Sequence, residues 1–154
     1  MDFTRKTFAE QPYIYVEKTT DYAHIADAIG AAFGAVFGFV GEEGITPQSM
    51  PMTIYLAMPS GSELTFRGGV MVSAEDAAKA SGEIRSDVLP AGDAMTTTHV
   101  GAYANLNQSH GALWKHLEEN GIPSTMPVWE IYIDDPGEVD EAVLRTEIYR
   151  KIAD

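Results

Sequence analysis

The chain repeats itself. Gly44-Ile45 returns as Gly121-Ile122, Met50-Pro51 as Met126-Pro127, and Ile54-Tyr55 as Ile131-Tyr132. The offset is about 77 residues, and self-similarity at a fixed period marks one structural unit used twice. Each half reads strand, helix, strand, strand. In the first, Tyr13 to Thr19 alternates and is rich in β formers. Asp21 is a candidate helix cap, and the helix is predicted from about Tyr22 to Val40, stopped by Gly41-Glu42-Glu43-Gly44. Met52 to Met58 and Leu64 to Val72 are strands separated by a Pro59-Ser60-Gly61 turn, and Gly68-Gly69 suggests a bulge or bend. In the second half, Ala94 to Val100 is a strand. Gly101-Ala102-Tyr103 opens a helix and Asn120-Gly121 closes it. Val128 to Ile133 and Leu144 to Ile152 complete the unit, with Asp134-Asp135-Pro136-Gly137 between them.

These repeats, about 8–75 and 88–154, predict an α+β fold in a single domain spanning 1–154. Tandem pseudo-symmetric β-α-β-β modules would form one mixed antiparallel sheet. Two helices would cover one face, leaving a ligand cleft on the other.

Within that frame one residue stands out. Val128-Trp129-Glu130-Ile131-Tyr132-Ile133 is apolar except for Glu130, and a strand alternates its side chains between faces. Trp129, Ile131 and Ile133 are expected to meet the helices, with Val128, Glu130 and Tyr132 facing the cleft. By the repeat, Met52, Ile54 and Leu56 face the helices, while Thr53, Tyr55 and Ala57 face the cleft. Thr53 then lies opposite Glu130. A charge in such a strand is costly unless paired or solvated. The first half has no equivalent carboxylate.

Both helices carry apolar stripes: Ile25, Ile29, Phe33, Val36 and Val40 on the first, Leu106, His110, Leu113, Trp114 and Leu117 on the second. Trp114 there is core or ligand platform. Gly30, Gly34 and Gly38 run beside the first stripe. Each costs about 1 kcal/mol relative to alanine. Close packing within the molecule is the expected reason, a dimer contact the alternative.

Composition narrows the chemistry. A formal charge of -13 and a pI of about 4.5 disfavour nucleic acid and anionic membranes. There is no cysteine, the N-terminus lacks a signal-peptide core, and the uncharged run Ala28 to Gly41 is too short to span a bilayer. A cytoplasmic protein is expected. The four histidines show no zinc spacing, so no metal is assigned. No nucleophile motif or phosphate loop is present, Ser109-His110 being mere neighbours on a helix, and no cofactor is implied. His99, just before Gly101, is read as a structural hydrogen-bonding residue. Oligomeric state is left open.

Two glutamates remain. If the last two strands form a hairpin, Glu130 and Glu147 can point into one cleft. Such a pair binds a cation between aromatic walls, with Tyr55, Tyr103, Tyr132, Tyr149 and Trp114 as candidates, or does general acid–base work. The alternative is a salt bridge to Arg145 or Arg150.

Leu89-Pro90-Ala91-Gly92, Thr98-His99-Val100-Gly101-Ala102-Tyr103, Pro127-Val128-Trp129-Glu130-Ile131-Tyr132 and Thr146-Glu147-Ile148-Tyr149, in that order, resemble the GyrI-like small-molecule-binding domain. That domain also serves as the effector-binding part of AraC- and MerR-type regulators. The resemblance implies a central ligand cleft in which a penultimate-strand glutamate, matched by Glu130, meets cationic aromatic compounds. Glu147 matches the glutamate usual in the last strand. Stand-alone relatives include hydrolases of cyclopropane-bearing electrophiles, where Glu130 or Glu147 would activate water, and inhibitors of gyrase, a possible protein partner. This chain lacks the regulators' helix-turn-helix and has Lys151 where proline often precedes the last apolar residue. The expectation is a stand-alone binder of amphipathic, aromatic, cationic compounds.

Overall fold

The computed structural model describes residues 1–154. Its strands are β1 (Thr4–Phe8), β2 (Gln11–Asp21), β3 (Met52–Tyr55), β4 (Glu63–Met71), β5 (Arg85–Leu89), β6 (Gly92–Val100), β7 (Ser124–Tyr132) and β8 (Arg145–Ile152). The helices are α1 (Ile25–Glu43), the short α2 (Ala74–Ala77) and α3 (Leu106–Glu119), the last preceded by a 3-10 turn over Tyr103–Asn105. The fold is α+β, with one eight-stranded sheet in the order β1-β6-β8-β7-β3-β4-β2-β5 and every pairing antiparallel. The two halves meet at β3 and β7, where Thr53 pairs with Glu130, the partnership the repeat predicts.

The sheet has to curl. β1 and β2 are six places apart in the strand order, yet only Ala9 and Glu10 join them. A flat sheet would separate them by about 29 Å at ~4.8 Å per strand. Three Cα steps reach only about 11 Å. β5 and β6 repeat the constraint through Pro90-Ala91. The two edges are therefore drawn towards each other around one face. That face is filled by Tyr13, Tyr15, Met52, Ile54, Leu89, Ala94, Trp129, Ile131 and Tyr149, all buried. Phe8, at the end of β1, packs edge-on against Trp129 and Tyr149 at 6.1 and 5.8 Å.

This reverses the expected faces. Met52, Ile54, Trp129 and Ile131 lie on the helix-free side, and the cleft expected there is occupied by the protein's own side chains. β1 and β5, which the sequence pattern does not reveal, supply the curl.

Both long helices lie on the other face. α1 rests on β2 and β4, burying Ala32, Val36 and Val40 against Ile14, Val16, Phe66 and Val70. By length and composition alone it could cross a membrane, with a mean hydropathy of 1.5; here it packs on the sheet through Ala32, Val36 and Val40, and the rest of the helix is partly or fully exposed. It starts at Ile25. Asp21 does not cap it; its carboxylate accepts the His24 N–H at 3.0 Å. It ends at Gly44, whose φ of 63° is left-handed. α3 rests on β6 and closes a second core of Met95, Leu106, Leu113, Leu117, Ile148 and Ile152.

Two glycine expectations change. β4 keeps its register with β2 through Gly68 and Gly69 without a bulge. A Cβ on Gly68 would lie 2.8 Å from the Ala32 Cβ, so this glycine lets α1 press onto the strand. On α1, a Cβ at Gly30, Gly34 or Gly38 would meet nothing within 4 Å. That stripe serves no close packing inside the molecule.

Candidate functional site

Between the two helix-covered cores runs the central strand pair. Register places Thr53 and Tyr55 of β3 and Val128, Glu130 and Tyr132 of β7 on the helix side. Tyr55 packs against the α1 core and Tyr132 against the α3 core, so Glu130 sits at the seam. It is 6% exposed.

Its carboxylate is fully partnered. Tyr132 donates its hydroxyl to Oε1 at 2.6 Å, and Thr53 Oγ1 lies 3.3 Å from the same oxygen and 2.8 Å from the phenol oxygen. The Tyr132 proton is spent on the carboxylate, so Thr53 donates to that phenol oxygen or shares its proton with Oε1. The other oxygen, Oε2, faces the His110 Nε2 at 2.6 Å. Burial pushes the Glu130 carboxyl up. The His110 hydrogen bond and charge, then the Tyr132 and Thr53 bonds, outweigh it and hold the group below its ordinary 4.5. The acid is thus ionised and internally paired, by neither Arg145 nor Arg150. Arg145 binds Asp134, and Arg150 donates to Ser124 and stacks on Trp114 at 4.3 Å.

Aromatic rings frame this centre. Tyr132 meets Tyr103 at 5.5 Å and Phe33 of α1 at 6.0 Å, both edge-on. Burial and the Glu130 charge raise the Tyr132 and Tyr55 hydroxyls, which stay protonated. Two cavities, of about 250 and 340 Å³, lie elsewhere, at the β3–β4 connection and beside β5. The acid is covered by its own partners.

The candidates divide. Glu130, Tyr132, Tyr55 and Tyr103 come together. Tyr149 lies on the helix-free face, stacked on Trp129 at 5.1 Å. Glu147 is there too: the hairpin pairs Glu130 with Ile148 and Ile131 with Glu147, so the two carboxylates point to opposite faces. Glu147 accepts the Tyr149 hydroxyl at 3.0 Å. Trp114 is on the helix side, committed to Arg150. His99 makes the structural bonds expected, Nε2 to the Ala102 carbonyl at 2.9 Å and Nδ1 to Ser109 at 2.6 Å. Because the carbonyl only accepts, Nε2 carries a proton and donates it there.

His110 and Phe33 are the site residues not singled out from the sequence. Each lies on an apolar helical stripe, the signal that it faces the sheet. Only the face assignment hid their partner. Among groups of histidine, aspartate and glutamate, no cluster suited to a metal is present.

A single buried carboxylate framed by tyrosines thus lies at the seam of a two-helix α+β sheet. Residues 1–153 match the GyrI-like small molecule binding domain, and the chain belongs to that family. No curated protein matches it. Among solved structures, the EcmrR C-terminal domain aligns with a TM-score of 0.80 at 24% identity, covering 99% of this chain and 97% of that one. In an EcmrR–DNA complex the TM-score is again 0.80, at 22% identity over 98% of this chain, which spans 57% of the EcmrR chain. SAV2435 bound to tetraphenylphosphonium aligns at 0.68 with 14% identity, over 99% and 94%. A Listeria innocua hydrolase aligns at 0.66 with 11% identity, over 98% and 91%.

Proposed function

We propose that the chain binds amphipathic, aromatic cations at the seam between α1 and α3, with Glu130 as the anion and Phe33, Tyr55, Tyr103 and Tyr132 as the aromatic surround. The observation that carries this is an ionised carboxylate, 6% exposed, in a sheet where an apolar residue would pack at less cost. Tetraphenylphosphonium, bound by the structural neighbour SAV2435, has the chemistry such a site favours.

The test is calorimetric titration with tetraphenylphosphonium and with neutral triphenylphosphine oxide. Saturable binding of the cation alone, weakened at least about tenfold in Glu130→Gln, is expected; each tenfold is about 1.4 kcal/mol. Equal binding of the neutral compound, or no effect of Glu130→Gln, overturns the proposal.

A second reading uses the same group. The His110–Glu130 pair beside a tyrosine hydroxyl is also a general acid–base set, suited to hydrolysing an electrophilic ligand. Glu147 has no part in it, being on the other face. Mass spectrometry separates the readings: a binder returns its ligand unchanged, whereas a hydrolase returns it heavier by one water.

A further inference from the structure

His110 already holds the position on Glu130 that a bound cation would take. We infer that this imidazole is a resident partner of Glu130 that a ligand must displace, and that it sets which cations enter. The inference rests on Glu130 being the ligand's anchor.

The geometry leaves the carboxylate one approach. Oε1 is used by Tyr132 and Thr53 from within the sheet. Oε2 is used by His110 alone, at the short distance of a charge-assisted bond. The His110 side chain is 24% exposed and that of Glu130 8%, so the ring is the layer between acid and solvent. To reach Glu130, a cation has to take the place of that ring.

The other charges nearby are engaged. From β8, Arg150 is held by Ser124 and Trp114. Beyond β7, Asp134 is paired with Arg145; the charges of Asp134 and Asp135 reach Tyr103. From β3 come Thr53 and Tyr55, both uncharged, and from α1 comes Phe33. On α3 itself, Lys115 pairs with Glu119 and His116 stacks on Phe3. His110 is the cation that Glu130 feels.

Two consequences follow. A small, strongly hydrated ammonium gains nothing by replacing an imidazolium already in place. A bulky, weakly hydrated aromatic cation brings apolar surface to Phe33, Tyr103 and Tyr132, and can displace it.

Tetraphenylphosphonium reads this exchange. It is titrated at about pH 8, above the ordinary carboxylate range, into wild type, His110→Gln and His110→Ala. With no imidazole to displace, both variants are expected to bind the cation at least about tenfold more tightly than wild type. Affinity for tetraphenylphosphonium unchanged or weakened in both variants, or methylammonium binding to wild type as tightly as tetraphenylphosphonium, overturns the inference while leaving the anchor standing. Absence of binding in all three proteins sinks the anchor reading and this inference with it.

Discussion

The two faces of β7 share a backbone and differ in what covers them. On one, Trp129 and Ile131 sit in a core enclosed by the sheet's own curl, with Met52, Ile54 and Tyr149. On the other, Val128, Glu130 and Tyr132 lie under the seam between two helices that rest mainly on outer strands. Burial depth is nearly equal, with Trp129 3% and Glu130 6% exposed. Composition is opposite. The curled face is closed by aromatic and aliphatic side chains, and the seam by hydrogen bonds to a charge. A region closed by covalent connectivity stays closed. On the proposed reading, one closed by a histidine on an adjacent helix is opened by a competing cation.

The largest expected effect lies on the curled face. Trp129→Ala removes a ring stacked on Tyr149 and touched by Phe8. Chemical denaturation should show a loss of about 3–5 kcal/mol, the range for emptying a large aromatic site. Protein that remains folded should bind cations as wild type does. A loss of affinity with unchanged stability would mean that the ligand uses the curled face instead.

Next comes the phenol pair. Tyr132→Phe deletes a donor to the ionised Glu130, and hydrogen bonds to charge are worth about 1.5–3 kcal/mol. Tyr149→Phe deletes the bond to Glu147 on the opposite face. Only the first should weaken cation binding. Equal effects on affinity would erase the distinction between the faces.

Acid should separate them further. The folded Glu130 carboxyl titrates below its ordinary 4.5, so the unfolded chain binds more protons in between. The stability this group contributes is full above the unfolded value and is lost as pH falls through the folded one. Urea titrations from neutral pH downward should show a steeper acid loss in wild type than in Glu130→Gln. Matching acid limbs would indicate that Glu130 is not held ionised by its partners.

Much of this was legible beforehand. The repeat predicted the strand–helix–strand–strand units and the Thr53–Glu130 pairing, because matched dipeptides fix matched registers. It did not predict β1 or β5. Thr4-Arg5-Lys6-Thr7 and Arg85-Ser86-Asp87-Val88 are exposed and carry no apolar alternation. Without them the curl is invisible, and with no curl the helix-free face reads as an open cleft. Alternation correctly grouped Glu130 with Tyr132; it could not say which group met the helices. The shared cleft for Glu130 and Glu147 failed on register. The connection between β7 and β8 is long, and β7 carries an irregularity between Ser124 and Val128, so no tight turn fixed the parity.

The smallest expected effect concerns the one face of α1 that neither core uses. Gly30, Gly34 and Gly38 are exposed, and a Cβ on any of them would meet open space. In a helix interior, glycine costs about 1 kcal/mol relative to alanine through backbone entropy. Gly34→Ala should therefore stabilise the monomer by up to about that amount, visible as a higher denaturation midpoint with an unchanged slope. It should leave cation binding alone, since Phe33, not Gly34, packs against Tyr132. Gly68→Ala is the contrasting substitution in the same half, placing a methyl 2.8 Å from Ala32, and should destabilise. Opposite signs at these two glycines would establish that α1 is pressed onto the sheet on one side and unoccupied on the other. Destabilisation at both would mean that the outer stripe is covered in solution.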